Sequence, residues 1–180
     1  KMQKTFLYWD NLNIYTGAQD VAVAREGAAA RRQVRIDFQN LLLLAQAGRP
    51  IYRTTASGKI NRAFQNVLAQ LHNVAAGEKL HPNMLLDRNN HLDAPGAAVL
   101  LSGNSDFLDD LMRLHAKKWR VELLSWEHSC NNEMQEWAQE NGAFVALDDY
   151  YKSVTYLKET EHPRRILRPV VPLDLSRRPA

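Results

Sequence analysis

Cysteine is almost missing from this chain. A single thiol, Cys130, stands among 180 residues. That excludes an internal disulfide, fits a reducing compartment and rules out a thiolate-rich zinc site. No apolar run reaches the roughly eighteen residues that a membrane-spanning helix needs. The start lacks the basic, apolar and small-residue succession of an export signal. The expectation is a cytoplasmic protein with no membrane partner. A glycine-rich phosphate loop and a nucleophile elbow are absent as well. The six histidines show no paired ligand spacing, so none is taken as a metal ligand.

What is present suits one soluble core: 45% hydrophobic and 24% charged residues. The net charge is only +3, but its distribution is uneven. Arg31, Arg32 and Arg35 form one cluster, and Arg164, Arg165, Arg168, Arg177 and Arg178 crowd the end. Such clusters can neutralise phosphates, and they equally make an ordinary solvated surface.

Along the chain, strands alternate with amphipathic helices. Residues 5–9, 51–55, 97–101, 120–124 and 143–147 read as five strands. Residues 97–101 are continuously apolar, as suits a parallel strand buried on both faces. Asp37 is a good N-cap, and Ile36 with Leu41 sits at hydrophobic-staple spacing, so a helix is expected from there to Gly48. Helical spacing also joins Ile60, Phe64, Val67, Leu68 and Leu71. Gly17 to Arg35 reads as a loop with at most one helical turn, and Tyr150 to Leu157 as a closing helix. Residues 1–157 form the expected domain, and 158–180 a basic, proline-rich tail. The alternation predicts an α/β three-layer sandwich around a mostly parallel sheet of about five strands.

In such sheets, sites form beyond the carboxyl ends of strands, near the point where strand order reverses. Asp10, the stretch Ser102 to Asp106, Ser125 and Asp148-Asp149 all follow strands. If the first strand lies beside residues 97–101, Asp10 and Asp106 converge. Carboxylates held together repel unless a divalent cation sits among them, and hard oxygen donors suit Mg²⁺ or Mn²⁺. Such a cation can activate water for attack on a phosphodiester. Each residue also has a plainer role open to it: Asp10, Ser102, Asn104 and Ser105 as turn or helix caps, Asp106 as a dipole-compensating acid.

Two segments carry a likeness. Phe6-Leu7-Tyr8-Trp9-Asp10-Asn11-Leu12-Asn13 presents a strand ending in Asp-x-x-Asn. Val99-Leu100-Leu101-Ser102-Gly103-Asn104-Ser105-Asp106-Phe107 presents a strand followed by Ser-Gly-Asn-Ser-Asp-Phe. In both, the sequence resembles the NYN domain family, a PIN-like branch of nucleases, over roughly residues 4 to 157. The resemblance implies phosphodiester hydrolysis of RNA at a Mg²⁺- or Mn²⁺-binding acidic cluster. It implies Asp10, Asn104 and Asp106 as metal and catalytic positions, with Asp87 near a further acid of the family. Asn13, Ser102 and Ser105, with Arg53 and Arg32, would contact substrate. The family carries aspartate where this chain has Asn104, an amide of the same shape with one less charge. An introduced inactivating change, a weaker natural metal site and a degenerate RNA-binding or adaptor domain all fit that substitution. A phosphatase acting on small substrates stays open, as do homo-oligomerisation and cleavage of DNA.

Overall fold

The computed structural model describes residues 3–158. Eight strands and eight helices follow in chain order: β1 Thr5–Asp10, α1 Asn11–Glu26, α2 Ala30–Gln33, β2 Val34–Ile36, α3 Phe38–Gln46 and β3 Ile51–Ser57. Then come α4 Arg62–Leu68, β4 Val74–Ala76, α5 Leu80–Asn90, β5 Ala97–Leu101, α6 Leu108–Ala116 and β6 Arg120–Ser125. The last are α7 Asn132–Asn141, β7 Ala143–Ala146, α8 Tyr151–Val154 and β8 Thr155–Leu157. Three short 3-10 turns occupy Ser105–Phe107, Glu127–Ser129 and Leu147–Tyr150.

Six strands make one sheet in the order β4-β3-β1-β5-β6-β7, every neighbouring pair parallel. The chain leaves β1 toward β3 and β4 on one side, then returns to place β5 on the other. The order therefore reverses between β1 and β5, which opens a crevice at their carboxyl ends. Strand alternation splits the apolar side chains between two layers. Leu7, Trp9, Val99 and Leu101 pack under α1, α3 and α4. Phe6, Tyr8, Ala98 and Leu100 pack under α5, α6 and α7. The three-layer α/β sandwich is the architecture expected from the alternation.

Three local expectations need correction. The sheet has six strands in place of five, because β4 is only three residues long and half-exposed at the edge. Gly17 to Arg35 is not a loop. α1 runs to Glu26 and buries Ile14, Gly17, Ala18, Val21 and Ala22, a helical face made mostly of small residues. Those side chains carry too little hydrophobicity to announce the period, yet they let the helix approach closely. A Cβ on Gly17 would lie 2.4 Å from the Trp126 ring. The segment then forms α2 and β2. Finally, a 3-10 turn ends at Tyr150, and the chain after it is a single helical turn followed by β8, which pairs antiparallel with β2.

Other expectations hold. Asp37 caps α3 by accepting from the Asn40 N–H at 3.0 Å, and Ile36 and Leu41 are both buried. Among the described residues no helix is long and apolar enough to cross a membrane. The tail expected beyond Lys158 lies outside the described residues.

Candidate functional site

The crevice between β1 and β5 gathers most of the residues singled out from the sequence. Asp10 ends β1 and is half-buried. Its Oδ1 accepts from the Asn13 backbone N–H at 3.3 Å, so it caps α1. Its Oδ2 accepts from the Ser102 hydroxyl at 2.8 Å. Ser102 Oγ in turn accepts from the Asn104 N–H at 3.1 Å, and Asn104 Oδ1 accepts from the Asp106 N–H at 3.0 Å. An unbroken chain of hydrogen bonds thus runs from Asp10 through Ser102 and Asn104 to Asp106.

A second tie crosses the same crevice. Asn13 Oδ1 accepts from the Gly103 N–H at 2.7 Å, locking the start of α1 to the loop after β5. Gly103 has to be glycine there: an added Cβ would lie 2.6 Å from both Ser125 Oγ and the Ser129 carbonyl oxygen. Ser105 and Asp106 begin the 3-10 turn capped by Asn104, and both are exposed.

No lysine or arginine pairs with Asp10 or Asp106 among the described residues. The side chains of these residues offer only oxygen, two carboxylates, an amide carbonyl and a hydroxyl, although the chain of bonds itself meets Asp106 at its backbone N–H. They match what Mg²⁺ and Mn²⁺ prefer. The charge is thin, however. Among the described residues no three His, Cys, Asp or Glu side chains come together as a metal-holding group. Asn104 sits in this chain of bonds where a third carboxylate would stand.

Asp87, Arg53 and Arg32 do not join this cluster. Asp87 lies on α5 and is buried; it accepts from the Tyr8 hydroxyl at 2.8 Å, with Arg53 Nε 3.5 Å away and outside hydrogen-bond geometry. Arg53 stands beside Phe6 in the sheet register, four residues before Asp10 along β1. Arg32 is exposed on α2, which packs along the middle of α1 where Gln19 and Asp20 bond to Arg31. Asp20 is ten residues past Asp10, roughly 15 Å along the helix. Asp148 is taken up locally, its carboxylate accepting from the Glu127 N–H at 2.9 Å.

A polar trio at the carboxyl edge joins Thr55, Asn83 and Glu78, of which Glu78 carries no signal in the sequence. Thr55 stands beside Tyr8 in the register, and the Asn83 amide donates to its hydroxyl at 3.2 Å and to Glu78 Oε2 at 2.9 Å. Glu78 follows the end of β4, so the failure to see that strand also hid its trailing acid.

Burial dominates the titration of the groups under the site. It raises the Asp87 carboxyl above its usual range, against the hydrogen bond from Tyr8 and the charge of Arg53. It lifts the Tyr8 hydroxyl well above the ordinary phenol range, with Asp87 adding to the effect. The Cys130 thiol is likewise pushed up by burial, to about 11. An acid whose folded-state pKa is raised stabilises the fold fully below its unfolded pKa. That stability is lost as pH rises from the unfolded toward the folded value. Stability should therefore decline above about pH 9, where unfolded thiols and phenols begin to ionise. Urea midpoints at pH 8 and pH 10 measure this. Tyr8→Phe should flatten the decline while lowering stability at pH 8, since Asp87 loses its donor. An unchanged alkaline slope in that variant would remove Tyr8 as a cause.

The comparisons with known proteins agree with the geometry. The NYN domain family model matches residues 4–148. The chain belongs to the NYN domain family. This placement carries the PIN-like nuclease superfamily, whose members generally use divalent metal ions. No curated protein matches the chain. A crystal structure of a protein of unknown function from Vibrio parahaemolyticus shares the fold, with TM-score 0.55 and 15% identity. The match covers 82% of this chain and 94% of that one.

Proposed function

We propose that this NYN domain is a metal-dependent ribonuclease that hydrolyses phosphodiester bonds of single-stranded RNA at the β1–β5 crevice. The observation that carries the reading is the hydrogen-bond chain joining Asp10 to Asp106 through Ser102 and Asn104. Two acidic residues with no basic partner among the described residues, their backbones drawn together at a topological switch point, make a place for a hard divalent cation. Asp10, Asp106 and Asn104 Oδ1 would hold Mg²⁺ or Mn²⁺ there. When bound, the ion supplies Lewis-acid polarisation of a phosphoryl oxygen and a more acidic water.

The chain's own residues do the rest. Ser102 fixes the orientation of Asp10 by donating to one carboxylate oxygen. Asn13 spends its amide oxygen on Gly103, which leaves its Nδ2 hydrogens to donate to a phosphate oxygen. Ser105, exposed beside them, offers a hydroxyl at the same rim. Arg53, level with Phe6 in the sheet, and Arg32, exposed on α2, have no role in this reading.

A second reading, an RNA-binding domain that no longer cuts, is favoured by Asn104 itself, since the amide leaves the acidic set one charge short. The test is a Mn²⁺ titration with labelled single-stranded RNA beside a nucleoside monophosphate. The nuclease reading expects chelator-sensitive cleavage of internal bonds and no phosphate release from the monophosphate. RNA binding that falls steeply with salt, with no cleavage even after Asn104→Asp, supports the binding domain instead. Phosphate release alone would replace both with a phosphatase.

A further inference from the structure

Beside the crevice, on the α5–α7 side of the sheet, a groove of about 390 Å³ runs between α5 and α6. Its mouth is formed by His81 and Asp110, which meet in a close contact, and the His81 ring packs on Phe107 at 4.5 Å. Phe107 closes the 3-10 turn that begins with Ser105 and Asp106, so the mouth adjoins the candidate site. By strand alternation Asp10 projects to this same side of the sheet as Phe6 and Tyr8. From His81 to Arg88 the groove follows α5 for about 10 Å.

Its walls combine apolar surface with free positive charge. Met84, Leu85 and Leu114 line it, Leu85 being 45% exposed. Arg88 and Arg113 line it too. Neither guanidinium has a hydrogen bond or ion pair among the described residues, and Arg88 Nε is buried without an acceptor. Among the described residues the other buried or half-buried arginines behave differently: Arg49 and Arg120 bind Glu122, Arg53 faces Asp87, and Arg35 donates to the Arg32 and Val34 carbonyls. Two unpaired guanidiniums in a groove that starts at a phosphodiester-cleaving centre call for an anionic polymer.

We propose that this groove holds the single strand flanking the scissile bond, with Arg88 and Arg113 on its phosphates and the apolar wall under its bases. The inference rests on the nuclease reading and deepens it: it makes the substrate an extended single strand that enters between α5 and α6. His81 and Asp110 sit at the threshold as a compact pair.

The experiment compares the protein with Arg113→Gln and with Arg88→Gln/Arg113→Gln. Fluorescence anisotropy reads the binding of a single-stranded RNA long enough to reach the groove, and of a dinucleotide, across a salt series. The expected result is an affinity for the long strand about tenfold weaker per guanidinium removed. The salt slope should fall by about 0.7 for each lost contact. The preference for the long strand over the dinucleotide should collapse. Arg113 is exposed, so its single variant keeps the test intact if the double variant unfolds. Unchanged long-strand affinity in both variants overturns the groove and leaves the nuclease reading standing. A parallel loss on the dinucleotide also overturns it. If the unsubstituted protein binds no single strand and Asn104→Asp cleaves none, both proposals fall together.

Discussion

Asn104→Asp should raise Mn²⁺-dependent cleavage of single-stranded RNA by roughly a hundredfold. A metal-held transition state gains several kcal/mol from its ion. Recovering about 3 kcal/mol of that through one added carboxylate corresponds to two powers of ten. The substitution leaves the fold undisturbed, because the structural duty of Asn104 needs only an oxygen. Its Oδ1 caps the 3-10 turn by accepting from the Asp106 N–H, and an aspartate oxygen does the same. What changes is charge. A third carboxylate beside Asp10 and Asp106 costs stability without a cation and strengthens binding with one. Added Mn²⁺ should therefore raise the thermal midpoint of the Asn104→Asp protein more than that of its parent, since a ligand that binds only the folded state stabilises it. This readout does not depend on activity. Asp10→Ala should abolish both effects, because it removes the residue that ties the two strand ends together. Equal cleavage and equal midpoint shifts in all three proteins would rule out a cation at this crevice.

The two strand ends could be read from the sequence because their signals are local. A short β-rich run that stops at Asp10, and an apolar run that stops at Ser102, mark two carboxyl ends without any three-dimensional knowledge. Their adjacency in the sheet is only a condition of the sequence reading, and the β1–β5 pairing supplies it. The misses have equally physical causes. α1 hides its periodicity because the buried face is Gly17, Ala18 and Ala22, residues whose value lies in close approach and not in hydrophobicity. β4 has three residues and little burial, so it earns its place from pairing with β3 alone. Missing it meant missing Glu78. Asp87 looks like a site acid in one dimension, since it stands on the helix that precedes β5. Only the side-chain contacts reveal that its carboxylate is spent on Tyr8 and Arg53. Arg53 was plausible as a phosphate contact by charge, but β3 places it level with Phe6, below the crevice. Groove formation between α5 and α6 depends on how two helices lie side by side, and no single segment encodes that.

The largest stability effect is expected far from the chemistry, at Glu122. This residue lies on β6, fully buried, facing the α3 side of the sheet with Leu124. Arg49 reaches it with both terminal nitrogens, at 2.7 Å to Oε2 and 2.8 Å to Oε1, and Arg120 Nε adds a third bond at 2.9 Å. Burying three charges is costly, and their mutual attraction offsets that cost only while the set is complete. Glu122→Gln keeps the shape yet breaks the set. Its one oxygen can replace only Oε1 or Oε2, so the amide nitrogen must face an arginine donor. At best the Arg49 and Arg120 bonds to Oε2 survive, with the remaining Arg49 nitrogen opposed by a hydrogen and both guanidinium charges left without a carboxylate. The expected cost is about 3–5 kcal/mol, the usual penalty for removing one member of a buried pair. For a chain of this size that lowers the thermal midpoint by roughly 10 °C or more. Replacing the whole group with apolar residues, as in Arg49→Met/Arg120→Leu/Glu122→Leu, should restore most of the loss, because no orphan charge remains. A Glu122→Gln midpoint within about 2 °C of the parent would mean that water or backbone already neutralises these arginines. The three-residue replacement separates a network that adds net stability from one whose members merely cancel one another's burial cost, and the second is the outcome expected here.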